Sequence, residues 1–158
     1  DQLGIQVAEV KPFGLSGSAG STPLRITVKG GDIEFDFEGT SPQVKGPLNC
    51  VPSGSLAAAC YAVRALTDPT IPTNGGCFRP IKLRLPKGTI VNPQEPAAVN
   101  ARTSTIKRIT GCMIGALAQI LPDRVPAASA GELLVMDLGG RLQGDGGSAG
   151  GFRHGRAS

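Results

Sequence analysis

A chain of 158 residues, 40% of them hydrophobic and 18% charged, is long enough to bury an ordinary core in one domain or to form a piece of a larger one. Its net charge of +4 comes from 16 Lys and Arg against 12 Asp and Glu, scattered singly among 4% aromatic residues; without a basic stripe and stacking rings, no nucleic-acid partner is expected. A membrane span needs about 20 predominantly apolar residues in succession, and the best run, 114–121, stops at Pro122, so no membrane partner is expected either.

Asp1 opens the chain without an initiating Met, a basic n-region or an apolar h-region, which reads as a processed product or an excised fragment. Residues 1–22 are expected to be a flexible N-terminal segment. One short apolar run at 5–10 precedes Gly14-Leu15-Ser16-Gly17-Ser18-Ala19-Gly20-Ser21, which lacks the Gly-Lys-Ser/Thr ending of a phosphate loop.

Leu24, Ile26 and Val28 then alternate with Arg25, Thr27 and Lys29, and after Gly30-Gly31 the residues Ile33, Phe35 and Phe37 alternate with Asp32, Glu34, Asp36 and Glu38. Period two on both sides of a Gly-Gly pair predicts a hairpin with a type I′ or II′ turn. The register follows: Lys29 faces Asp32, Thr27 faces Glu34 and Arg25 faces Asp36 on the wet side. Val28/Ile33, Ile26/Phe35 and Leu24/Phe37 pair on the dry side. The four alternating carboxylates lack His or Cys companions, so cross-strand charge pairing is expected there and no metal.

Alternation ends at Glu38, and a Gly/Pro loop leads into a helix predicted over 53–66. There Leu56, Ala59, Cys60, Val63 and Leu66 form the apolar stripe, Ser53 or Ser55 caps the start, and Asp68-Pro69 ends it. Residues 68–80 read as an irregular loop and 81–85 as a strand. After a Pro-rich loop at 92–96, a second helix is predicted over 103–121, with its stripe at Ile106, Ile109, Met113, Ala116, Leu117 and Ile120. Arg102, Lys107 and Arg108 lie near its start, where cations oppose the helix dipole unless an anion is at hand. A short strand is expected within 133–138, and 139–158 is a Gly-rich stretch expected to be mobile. It holds the one histidine, His154, and one histidine in a tail does not make a triad.

These elements define an α+β class: an antiparallel hairpin and short strands with two main helices, a fragment of a larger mixed fold. Cys50, Cys60, Cys77 and Cys112 are 10, 17 and 35 residues apart. That matches no zinc pair, and buried thiols in a reducing cytosol are expected. Ligand contacts concentrate in loops, which makes Thr40, Ser41, Asn49, Asn74 and Arg79 candidate substrate contacts, with Arg102 added as a candidate anion contact.

Several runs go beyond composition. They are Asp36-Phe37-Glu38-Gly39-Thr40-Ser41-Pro42-Gln43-Val44-Lys45-Gly46-Pro47-Leu48-Asn49, Tyr61-Ala62-Val63-Arg64, Ile71-Pro72-Thr73-Asn74-Gly75-Gly76-Cys77-Phe78-Arg79-Pro80, Pro96-Ala97-Ala98-Val99, and Gly115-Ala116-Leu117-Ala118-Gln119-Ile120-Leu121-Pro122-Asp123-Arg124-Val125-Pro126-Ala127-Ala128. In this order, over residues 20–135, the chain resembles the hydantoinase B/oxoprolinase family. The resemblance implies that 23–138 is a portion of a B-type domain in a large cytoplasmic subunit. That subunit would work in a hetero-oligomer with a hydantoinase A-like, ATP-using partner on a small-molecule substrate. Members hydrolyse cyclic amides such as 5-oxoproline or N-methylhydantoin at the expense of ATP, and relatives carboxylate acetone or acetophenone. In the implied scheme the partner phosphorylates the substrate oxygen and the B-type subunit completes the reaction. ATP then belongs to the partner and a divalent metal to a more N-terminal His/Asp region, with no cofactor in this segment and no activity expected of it alone. The family's Gly-Asn-Val-Glu-Thr-Ser-Gln-Arg stretch corresponds to Ala101-Arg102-Thr103-Ser104-Thr105-Ile106-Lys107-Arg108. There a cation replaces an amide and a carboxylate, which suits an anionic substrate or bicarbonate at Arg102. The alternatives are a portion of a carboxylase-type subunit and a non-catalytic scaffold or interaction module.

Overall fold

A computed structural model describes residues 6–14 and 21–129, together with two short strand segments at 137–138 and 155–156. A four-stranded sheet runs in the order β1 (Gln6–Gly14), β2 (Ser21–Lys29), β3 (Asp32–Asp36) and β4 (Ile81–Arg84). Two long helices, α1 (Pro52–Leu66) and α3 (Arg102–Leu117), complete the α+β architecture expected from the sequence. The short helix α2 (Gly75–Phe78) precedes β4, and β5 (Asp137–Leu138) pairs with β6 (Gly155–Arg156). The expectations for 1–5, 15–20, 133–136, 139–154 with His154, and 157–158 fall outside the described residues.

The hairpin forms in the register that alternation dictates, from Arg25 opposite Asp36 to Lys29 opposite Asp32. Gly30 turns it with φ +61°, while Gly31 has no positive φ; this is the pattern of type II′ rather than I′. Two neighbours were not legible. Part of the segment expected to be flexible is a strand: β1 pairs antiparallel with β2. On the other side β4 pairs with β3 in parallel, Ile33 beside Ile81 and Phe35 beside Leu83.

All this places the apolar positions on one face. Leu24, Ile26, Phe35 and Phe37 are buried there with Ile81, and α3 covers β1 and β2 while α1 lies over β4. Each such side chain removed from water contributes about 1.5–3 kcal/mol. The opposite face is charged. The carboxylates that were expected to pair within the hairpin meet a second set of cations on β4: Lys82 Nζ donates to Asp32, and Arg84 reaches Asp36 and Glu38 at 3.2 Å each.

The helices depart from the sequence reading in four ways. Helix α1 begins one residue early, at Pro52, because a proline at the first position gives up an N–H that has no intrahelical partner anyway. Neither Ser53 nor Ser55 caps it; Val51 is the N-cap and Ser55 is buried. The inward face of α1 is made of small residues, Ser55, Ala58, Ala59 and Ala62, with Cys60 and Leu66, whereas Leu56 is 39% exposed. Small side chains let α3 come close: a Cβ at Gly54 would stand 2.8 Å from Cys50 Sγ and 2.9 Å from Ile106 Cδ1. Helix α3 stops at Leu117, four residues short of the expected end, and buries Thr105 and Cys112 beside Ile109, Met113, Ala116 and Leu117.

Candidate functional site

Parallel β3 and β4 give the molecule two distinct ends, and the six candidate residues divide between them. At roughly 3.3 Å per strand residue, the two ends are roughly 15 Å apart.

Asn74 and Arg79 lie at the end where β4 begins. Residues 68–80 are not wholly irregular as expected, because Asn74 Oδ1 accepts from the backbone N–H of Gly76 at 2.9 Å and of Cys77 at 3.3 Å and so starts α2. This is N-cap chemistry. Arg79 follows as the C-cap, with its backbone N–H on Gly76 O, and Pro80 O accepts from Ile33 N at 2.8 Å to lock β4 onto β3. Asn74 thus has a structural occupation and is exposed.

Thr40, Ser41, Asn49 and Arg102 gather at the other end, in a knot of three loops. Thr40 Oγ1 donates to Phe37 O at 2.7 Å, closing the turn that leaves β3. Ser41 O accepts from Ile90 N, and Ile90 O accepts from Cys50 N at 2.7 Å. Ile90 and Val91 are fully buried, which pins the loop after β4 beneath the loop after β3. Asn49, itself fully buried, is the centre of the knot. Its Oδ1 accepts from Val44 N at 2.9 Å, and its Nδ2 donates to the carbonyls of Val44, Gly46 and Ala98 at 2.8, 3.2 and 2.9 Å. Both N–H donors of the amide are spent on backbone carbonyls and its oxygen is turned onto a backbone N–H, so the fully buried side chain serves the knot.

The knot also sets the start of α3. Ala101 N donates to Pro47 O at 2.9 Å, and the buried Thr105 hydroxyl donates to Leu48 O. Arg102, the first residue of α3, is exposed, and one of its five N–H donors goes to Val99 O at 3.3 Å. No acidic residue occupies the first turn of α1 or α3, so Arg102 stands as a cation beside a helix N-terminus.

Beneath it, Cys50 Sγ lies 3.8 Å from Ser55 Oγ, which contacts Val91 O at 3.3 Å. Burial pushes the Cys50 thiol up, opposed by its hydrogen bond to Ser55 and by the Arg102 charge. A protonated, enclosed thiol is a packing group rather than a nucleophile. All four cysteines are free, and Cys50, Cys60 and Cys112 are buried. Among the described residues no three His, Cys, Asp or Glu side chains come together to hold a metal. The resemblance assigns the divalent ion to a more N-terminal region, and no chemical step here depends on it.

Thr105, Ser55 and Gly54 carry no sequence signal of a place in the site, since each is small and lies in an apolar helical pattern. The spacing of Leu48 and Thr105, 57 positions apart in sequence, leaves no local signal.

This geometry coincides with a family. A model of hydantoinase B/oxoprolinase matches residues 10–155. An uncharacterized protein of Methanocaldococcus jannaschii is 41% identical over 119 residues, covering 75% of this chain and 21% of that protein. A protein of a Pseudomonas sp. named as the B-type subunit of a D-/L-hydantoinase is 38% identical over 127 residues, with the same two coverages of 75% and 21%. The crystal structure of an ATP-dependent caprolactamase from Pseudomonas jessenii superimposes with a TM-score of 0.64 at 25% identity, over 77% of this chain and 21% of that one. The chain belongs to the hydantoinase B/oxoprolinase family. It spans about a fifth of the length of the first two relatives. Among the described residues no helix is long and apolar enough to cross a membrane.

Proposed function

We propose that the chain is a segment of the B-type subunit of an ATP-dependent cyclic-amide hydrolase that acts with an ATP-using A-type subunit in the reducing cytoplasm. The observation that carries this reading is the family match over 10–155, joined to the structural likeness to an ATP-dependent caprolactamase. A ring amide is a poor electrophile. Transfer of a phosphoryl group from ATP to the amide oxygen makes the ring carbon electrophilic: one water adds there, the ring nitrogen takes up a proton and leaves as the C–N bond breaks, and a second water hydrolyses the resulting acyl phosphate to carboxylate and phosphate.

In this scheme the segment supplies a placed cation. The loops knotted by Asn49 hold Arg102 at the end of the parallel strands, where its free guanidinium N–H groups suit a carboxylate or phosphoryl oxygen. Thr40, Ser41 and Asn49 serve the knot, and Arg102 is the residue of the six that faces the ligand.

The test is an assay of the full-length B-type subunit mixed with its A-type partner. Cyclic amides such as 5-oxoproline or a hydantoin should yield ring-opened product and ADP together, and only when both subunits and ATP are present. Ring opening without ATP consumption, or bicarbonate-dependent carboxylation of a ketone with no amide turnover, would overturn the reading.

A further inference from the structure

The outward side of α1 is built unlike any solvated helix face. Leu56, Tyr61 and Ile71 are the large hydrophobic side chains left exposed among the described residues, at 39%, 61% and 36%. Two lie on α1 and the third follows it in the loop that α1 itself holds down: Arg64 Nη2 donates to Pro69 O at 3.0 Å and to Ile71 O at 2.8 Å. Arg64 is the only charged residue of α1, and its guanidinium is turned onto those two carbonyls. The other exposed positions of α1 itself, Pro52, Ser53, Ala57 and Ala65, bring no charge, and the charge at the border of the face is Asp68, in the loop between α1 and Ile71. A solvated helix normally carries charged residues on the face away from its core, as the outer face of this sheet does with Lys82, Arg84, Asp32 and Glu38. An apolar helix face with a central tyrosine and charge only at its border has the composition of an interface core with a polar rim.

We infer that the outer face of α1, with Ile71, is the seat of a second part of the same polypeptide: an apolar surface from the remaining length of the B-type subunit. The occupant follows from length. This fold unit makes up 21% of the caprolactamase chain that shares it and 21% of two sequence relatives, so in each it is one unit of a polypeptide about five times as long. Units within one chain meet over interfaces of this kind without the entropic cost of bringing separate molecules together. The inference rests on family membership and the relatives' length, not on the proposed reaction, and its failure leaves that reading standing.

Tyr61 makes the surface readable, since it is the single tyrosine in the 158 residues. Hydroxyl-radical footprinting of the full-length B-type subunit should show oxidation at Tyr61 several-fold slower in the native subunit alone than in denaturant, at every protein concentration. Full reactivity in the native subunit overturns the inference. So does protection that arrives only with the A-type subunit, which assigns the face to that partner, or protection that grows with concentration, which assigns it to a second copy.

Discussion

Asn49 and Asn74 are two loop asparagines at opposite ends of the same parallel strand pair, and the structure treats them differently. Asn74 is exposed and spends its side-chain oxygen on two N–H groups within three residues, starting one short helix. Asn49 is fully buried and joins Val44 and Gly46 to Ala98, 49 residues further on. One is a local cap whose loss frays a turn. The other is a tertiary clamp whose loss releases two loops and the start of α3. Residue type and loop position are the same for both, and burial with long-range partners decides the difference.

The largest effect should come from breaking the clamp. Asn49→Ala leaves the Val44 N–H and three carbonyls without their partner in a dry site, and is expected to cost about 3 kcal/mol or more in urea unfolding of the subunit. Alkaline pH should have an intermediate effect. Burial raises the Cys112 thiol from 9.0 to about 11, opposed by the Arg108 charge. The unfolded chain therefore loses this proton first: the stability it contributes is intact below pH 9 and is lost as pH rises to about 11. Stability measured from pH 8 to 11 should fall less steeply in Cys112→Ala than in the wild type, and equal slopes would rule out this role. Asn74→Ala should have the smallest effect, about 1 kcal/mol, the usual value of an N-cap. A loss at Asn74 equal to that at Asn49 would erase the contrast between the two ends.

Legibility followed the range of the interactions. The hairpin was readable residue by residue because alternation and a Gly-Gly turn are local, and its register holds from Arg25 to Asp36. The partners of its carboxylates were not, because Lys82 and Arg84 arrive from a strand about 50 positions away through a parallel crossover. In α1 the hydrophobic scale favoured Leu56 as a core residue, but the closeness of α3 at Gly54 selects Ser55, Ala58 and Ala62 instead. Residues 75–78 are too short a helix for any periodicity to mark them. Of the six candidate residues, sequence alone placed all in loops or at a helix start. Only the fold separated the four at one end from Asn74 and Arg79 at the other.

Arg102 and Arg79 are both exposed, one at each end, so they test the location of the site directly. In the full-length A-type and B-type complex, Arg102→Ala should lower kcat/KM for ATP-dependent ring opening about tenfold or more, the effect of losing one charge-assisted contact of about 1.4 kcal/mol. Arg79→Ala should leave it within about twofold. Unchanged turnover and substrate affinity in Arg102→Ala, with a loss in Arg79→Ala, would place the site at the other end of the sheet and contradict the account.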